Sequence, residues 1–223
     1  MPETKSECKD ILLPVFRDSL KKRYCPICTI LSNYEVSILE SILYERVNDP
    51  GVRREFIGSM GLCKHHAWLI VELSEKSTLV DNLGPSLLYR DVLALYIRQD
   101  LHSKRETCPI CREVASYEKM IVNWVSQCID TSDWFRSLYS HGKAVFCDKH
   151  YHMIVSQMRN PHAIEEFKSI QREKLITILN RIDSYISKKD YRSKQEIGEE
   201  EVYAWIDALQ ALKGDRSFRG CSG

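Results

Sequence analysis

Residues 25–35 read CPICTILSNYE, and residues 108–118 read CPICREVASYE, 83 positions later. Further on, GLCKHH (61–66) faces VFCDKH (145–150) at an offset of 84. Between these anchors Arg53 aligns with Arg136 and Phe56 with Tyr139, and beyond them Ile70-Val71 aligns with Ile154-Val155. Self-similarity at a fixed period marks a duplicated unit. The alignment predicts one module over 12–100, a second over 101–190, and a C-terminal helix and tail over 191–223, all packed as one globular unit.

The apolar spacing is helical almost throughout. Ile30, Leu31, Tyr34, Ile38, Leu39, Ile42 and Leu43 form one stripe. Asn48-Asp49-Pro50-Gly51 ends that helix and opens a short one, with Pro50 suited to a first turn. Gly58 to Gly61 breaks the chain before Cys63, a helix follows through Leu73, and Asn82-Leu83-Gly84-Pro85 reads as a turn before a helix over 86–99. The second half repeats the scheme over 112–128, 132–140, 149–158 and 162–187, with Asn160-Pro161 as its break. A last helix is predicted over 199–213, ending at Gly214. No stretch alternates long enough for more than a short ribbon near the cysteines. The expected fold is all-α: a duplicated helical module, each copy stapled by a Cys3His metal site made of a knuckle and a helix N-terminus, with a C-terminal helical extension.

Each module supplies C-x2-C and, 34 or 35 residues on, C-x2-H. Read in chain order, the first set is Cys25, Cys28, Cys63 and His66, and the second is Cys108, Cys111, Cys147 and His150. Three thiolates and an imidazole make a closed tetrahedral zinc set. The later Cys and His stand three apart at a helix start, hence on one face, where the helix dipole also favours a thiolate. His65 competes with His66 for the fourth position. The alignment decides for His66, whose counterpart is His150, whereas His65 faces Lys149. The expected cofactor is zinc, two ions per chain, with an iron–sulfur cluster as the alternative. A closed site lacks an open position to activate water, so the metal's expected role is to hold helices together.

Tyr34-Glu35 and Tyr117-Glu118 recur seven residues past the second knuckle cysteine. Glu35 and Glu118 are candidates to accept the outer N–H of His66 and His150, against the plainer reading of surface carboxylates beside core tyrosines. Trp68, aligned with His152, reads more readily as core than as a cover for the metal. His102, His141 and His162 read as surface or structural. Cys8, Cys128 and Cys221 fall outside the repeat: Cys128 reads as core and Cys221 as a free thiol in the tail. The basic stretch 185–195 reads as a solvated linker before a phosphate contact.

Lys and Arg total 32 against 31 Asp and Glu, which excludes a strongly basic nucleic-acid clamp. The apolar run near the N-terminus stops at Phe16, too short for a signal core or a membrane span. These features predict a cytoplasmic protein, where paired cysteines mean metal more often than disulfide. No phosphate-binding glycine loop, G-x-S-x-G or H-E-x-x-H occurs, so no catalytic residue is assigned.

The doubled CPIC…CxxH, the stretch GPSLLYRDVLALYI (84–97), and KKDYR with the later Trp205, Ala208, Leu209, Leu212 and Gly214 resemble an uncharacterised prokaryotic family of unknown function, over about residues 20–214. The resemblance implies a cytoplasmic, helical, metal-binding protein and brings no activity. The expected function is a non-catalytic interaction or adaptor module with two structural zinc sites, binding protein before nucleic acid. The alternatives are a redox or metal-handling protein with labile thiolates, and an enzyme with a pocket between the modules. Oligomeric state is left open.

Overall fold

The computed structural model describes residues 8, 11–76, 82–98, 106–190 and 195–215. Among them there are helices and no strands. In chain order the helices are α1 (Leu12–Leu20), α2 (Pro26–Tyr44), α3 (Pro50–Gly58), α4 (Lys64–Lys76), α5 (Leu83–Arg98), α6 (Pro109–Thr131), α7 (Asp133–His141), α8 (Asp148–Val155), α9 (Pro161–Lys188), α10 (Glu199–Val202) and α11 (Ala204–Lys213).

The breaks follow local chemistry. Asp49 caps α3, its carboxylate accepting from the backbone N–H of Gly51 at 2.7 Å and Val52 at 3.0 Å, and Pro50 takes the first helical position. Asn160 caps α9 in the same way, followed by Pro161. After α3 the chain turns through Met60 (φ 56°) and Gly61 (φ 86°). A Cβ at Gly61 would also lie 3.3 Å from the Tyr89 ring, so only glycine fits there. Two expectations are corrected. Leu83, Gly84 and Pro85 belong to the first turn of α5 rather than to a separate turn. The predicted single C-terminal helix is two, divided at Tyr203 (φ −99°, ψ 2°).

The chain forms two compact units. Among the described residues the first takes 8–30 and 118–215, and the second takes 31–117. These units cut across the sequence modules 12–100 and 101–190: each draws on both. The boundaries fall inside α2 and α6.

The core of the first unit is aromatic. Phe16 of α1 stacks on Phe135 with ring centroids 5.0 Å apart and meets Trp124 edge-on at 5.7 Å. Tyr139 lies 4.6 Å from Phe146, which meets Phe167 at 5.8 Å. The buried Trp124 indole N–H has no hydrogen-bond partner among the described residues, whereas the Tyr139 hydroxyl in this cluster is fully satisfied, donating to Gln171 Oε1 at 2.5 Å and accepting from the Phe146 N–H at 3.2 Å. Such burial needs a partner, and the pairing fixes α7 against α9. Next to it, buried Arg136 donates to Glu166 Oε2 and to the Ile129 carbonyl, both at 2.6 Å, and also pairs with Asp133. α11 packs on α9 through Val145, Ile178 and Ala211.

The second unit buries Leu39, Phe56, Ile70 and Leu88. Here Arg53 Nε donates to Asp91 at 2.8 Å, tying α3 to α5 as Arg136 ties α7 to α9. The aligned arginines thus make the same kind of contact in both units.

One further covalent tie departs from expectation. Cys8 and Cys128 form a disulfide, with Cα atoms 5.5 Å apart. Cys128 is buried, as expected, but it is bonded rather than a free core thiol. Cys221 and His102 lie outside the described residues.

Candidate metal centres

All four cysteine motifs sit at helix N-termini. Cys25 and Cys108 precede Pro26 and Pro109, the first residues of α2 and α6, and their carbonyls accept from Thr29 N–H at 3.0 Å and Arg112 N–H at 3.1 Å. Cys63 and Cys147 stand at the same position before α4 and α8, accepting from Ala67 N–H at 2.9 Å and Tyr151 N–H at 2.8 Å. The second ligand of each motif is the third residue of its helix. The knuckles expected from the sequence are therefore helical first turns, and the prolines sit where a missing N–H costs nothing.

These first turns meet in pairs, and the pairing overturns the one read in chain order. The first centre joins Cys25 and Cys28 to Cys147 and His150, all in the first unit. The second joins Cys63 and His66 to Cys108 and Cys111, all in the second unit. Each C-x2-C is completed by the C-x2-H of the other sequence module. Backbone hydrogen bonds before the motifs accompany this exchange. In the first unit the N–H of Lys143 donates to the Leu20 carbonyl at 2.8 Å. In the second, the N–H of Glu106 donates to the Gly58 carbonyl at 3.2 Å. Each bond lays the segment entering one motif beside the segment entering its partner. In the other direction, α2 continues from Cys28 to Tyr44, about 24 Å at ~1.5 Å per residue, before the chain turns toward Cys63.

The spacings suit one tetrahedral ion per group. Metal–sulfur bonds of ~2.3 Å and a metal–nitrogen bond of ~2.0 Å separate sulfurs by roughly 3.8 Å and sulfur from nitrogen by about 3.5 Å. In the first centre Cys28 Sγ lies 3.8 Å from Cys147 Sγ. His150 Nδ1 lies 3.4 Å from Cys25 Sγ, 3.4 Å from Cys28 Sγ and 3.1 Å from Cys147 Sγ. In the second centre Cys111 Sγ lies 3.6 Å from Cys63 Sγ, and His66 Nδ1 is 3.1, 3.5 and 3.5 Å from the sulfurs of Cys63, Cys108 and Cys111. Both imidazoles turn Nδ1 inward.

Their Nε2 atoms turn outward to carboxylates. Glu118 Oε1 lies 2.9 Å from His150 Nε2, and Glu35 Oε1 lies 2.5 Å from His66 Nε2. A carboxylate behind a ligating histidine fixes its tautomer and raises its basicity. Glu35 is itself buried. The two carboxylates have different second partners: His65 Nε2 approaches Glu35 Oε1 at 2.9 Å, and Lys149 Nζ approaches Glu118 Oε1 at 2.6 Å. Tyr34 and Tyr117 do not reach these groups by any hydrogen bond among the described residues; their rings stack on each other, centroids 3.8 Å apart.

The electrostatics favour ionised donors. Burial alone would suppress the charge on His66, but the neighbouring Cys108 and Glu35 raise its pKa to about 10. Burial pushes Cys108 up, yet the His66 contact and backbone N–H groups bring it down to about 7. In the first centre, hydrogen bonds from Cys25 and Cys28 hold Cys147 far below an ordinary thiol, while burial and the neighbouring sulfurs push Cys25 up. Burial works against charge on His150, but Cys147, Cys28 and Glu118 raise it well above an ordinary imidazole. One thiol in each group, Cys147 in the first and Cys108 in the second, is thus favoured as the thiolate, while Cys111 is disulfide-bonded and offers a thiolate only once reduced.

Other sequence candidates fall elsewhere. Trp68 is exposed rather than core, and His152 is exposed beside Asp148 at 3.3 Å. His141 and His162 are on the surface. Of the basic stretch, Lys188 pairs with Glu201 at 2.7 Å and Lys189 lies over the Tyr185 ring, while residues 191–194 lie outside the described set. No described helix is long and apolar enough to cross a membrane.

No curated protein and no solved structure matches the chain. A family of unknown function, DUF6062, matches residues 86–215. That region holds Cys108, Cys111, Cys147 and His150, half the donors of each centre, together with Glu118 and the helices from α6 to α11. With more than half of its 223 residues in the match, the chain belongs to the DUF6062 family of unknown function.

Proposed function

We propose that the protein is a zinc-stapled helical scaffold that binds another protein through its surface and performs no catalysis itself. The observation that carries the metal reading is the donor spacing: the sulfur–sulfur and sulfur–nitrogen distances given above for the two Cys3His groups lie between 3.1 and 3.8 Å. One ion spans such edges, whereas a cluster puts several irons and sulfides between its cysteines and needs them further apart. Soft thiolates with one imidazole favour zinc. Each ion holds two helix first turns that lie far apart in sequence, so its binding energy is folding energy. The repeat in sequence and the recurring Arg53–Asp91 and Arg136–Glu166 contacts support an origin by duplication.

The interaction reading rests on α11, where Trp205, Leu209 and Leu212 are 59%, 51% and 64% exposed along one face. Exposed tryptophan among leucines is typical of a binding surface. The near-neutral charge favours a protein partner. Elemental analysis of the freshly purified chain tests the metal reading. Two zinc ions per chain and a colourless solution are expected; visible absorption with iron and sulfide contradicts it. A metal-handling role is favoured by one observation, the half-buried Cys63.

A further inference from the structure

The two centres are alike in donors and unlike in enclosure. In the first, Cys25, Cys28, Cys147 and His150 are 1%, 2%, 2% and 0% exposed. Gly214 closes over it: a Cβ there would lie 3.5 Å from Cys28 Sγ and 3.8 Å from Cys147 Sγ. α11, which delivers Gly214, packs on α8 and α9. In the second centre Cys108 and Cys111 are 8% and 6% exposed, and Cys63 is only half-buried.

The outer partners differ in the same sense. Beside the first centre, Glu118 is held by the ammonium of Lys149 at 2.6 Å, a fixed positive charge on the outer side of His150. A departing or arriving cation meets repulsion there. Beside the second centre the corresponding position is His65, whose Nε2 lies 2.9 Å from Glu35 Oε1. Glu35, His65 and His66 form a group whose donor atoms lie within 4.8 Å of one another. That group offers a carboxylate and an imidazole to a cation on its way between His66 and solvent.

We propose that the two centres have separate roles: the Cys25–Cys28–Cys147–His150 ion is a permanent staple, and the Cys63–His66–Cys108–Cys111 ion is exchangeable. Cys63 is the sulfur that opens to a competing chelator, and His65 with Glu35 receives the ion as it leaves. The ligand is a thiophilic divalent cation, zinc in the first instance. This rests on the reading of both groups as metal centres.

The test uses the purified full chain, first reduced so that Cys111 leaves its disulfide and then loaded with zinc. Excess EDTA is added, metal content is followed by native mass spectrometry, and freed thiols are trapped with iodoacetamide and mapped by peptide. One ion should leave at least tenfold faster than the other, and alkylation at that point should fall on Cys63, Cys108 and Cys111. His65→Lys should slow the fast phase severalfold while leaving two ions bound at the start. Loss of both ions at one rate, or early alkylation of Cys25, Cys28 and Cys147, overturns the assignment while leaving two metal centres standing. A chain that carries no metal overturns both this inference and the reading beneath it.

Discussion

Cys28 Sγ lies 3.8 Å from Cys147 Sγ, although 119 residues separate them in the chain. That contact, with its counterpart between Cys63 and Cys111 at 3.6 Å, makes each centre a joint product of the two sequence modules. Neither module holds a complete donor set at either centre. Each group therefore brings together segments that share no local sequence.

The outer carboxylates support the centres through their histidines. Glu35→Gln and Glu118→Gln remove the charge behind His66 and His150 while keeping the shape. Each should weaken the affinity of its own centre by about 10–100-fold. A competition titration with a chromogenic chelator reads this directly, and unchanged affinity would show that these carboxylates only pack.

The two aligned arginines should differ in weight. Arg136 is buried and serves Glu166, Asp133 and the Ile129 carbonyl. Arg136→Met strands the carbonyl and one carboxylate, and should cost about 2–3 kcal/mol. Arg53 is part-exposed, and Arg53→Met should cost about 1 kcal/mol or less. Denaturant unfolding at fixed metal concentration compares them.

Glu201 links α10 to α9. Its hydrogen bonds with Lys188, then Ser184 and the Gly198 N–H, hold its carboxyl down at about 2. An unfolded glutamate titrates near ~4.3. The folded state thus favours the charged form, so the stabilisation is complete above the unfolded value and disappears as pH falls toward about 2. Glu201→Gln should be less stable than the parent at neutral pH, and the difference should shrink below about pH 4. Melting curves of both proteins across that range check it; a constant difference would refute the linkage.

Cys8–Cys128 closes a long loop, with 120 positions between the two cysteines. Its loss by Cys8→Ser should destabilise the chain by about 2–4 kcal/mol. Reductant should destabilise the parent more than the variant, which keeps only the disulfide at Cys111. Intact-mass analysis with and without alkylation establishes the bond itself.

Much of this was legible in the sequence, and the limits are instructive. Asp49-Pro50 and Asn160-Pro161 announce helix starts because capping and proline chemistry are local. The eight residues of the two Cys3His groups were legible as half-sites for the same reason: C-x2-C and C-x2-H each place two side chains on one helical turn. Which half-site joins which was not. Two C-x2-C and two C-x2-H motifs allow two pairings, and the spacing is equally good for both, as with disulfide connectivity. The choice belongs to the packing of each unit, of which the Lys143–Leu20 and Glu106–Gly58 backbone bonds are a part, and no motif encodes it. The repeat itself pointed the wrong way, because it invited each module to be read as self-contained. The break at Tyr203 and the exposure of Trp68 were hidden for a related reason: both are set by tertiary packing, which overrides local pattern.

The crossed pairing is tested most directly by reducing the protein, so that Cys111 leaves its disulfide, loading it with cadmium-113 and recording proton–cadmium correlations. Two cadmium resonances are expected. One should correlate with the β-protons of Cys25, Cys28 and Cys147, and the other with those of Cys63, Cys108 and Cys111. A resonance that correlates with Cys25, Cys28 and Cys63 together would contradict the account.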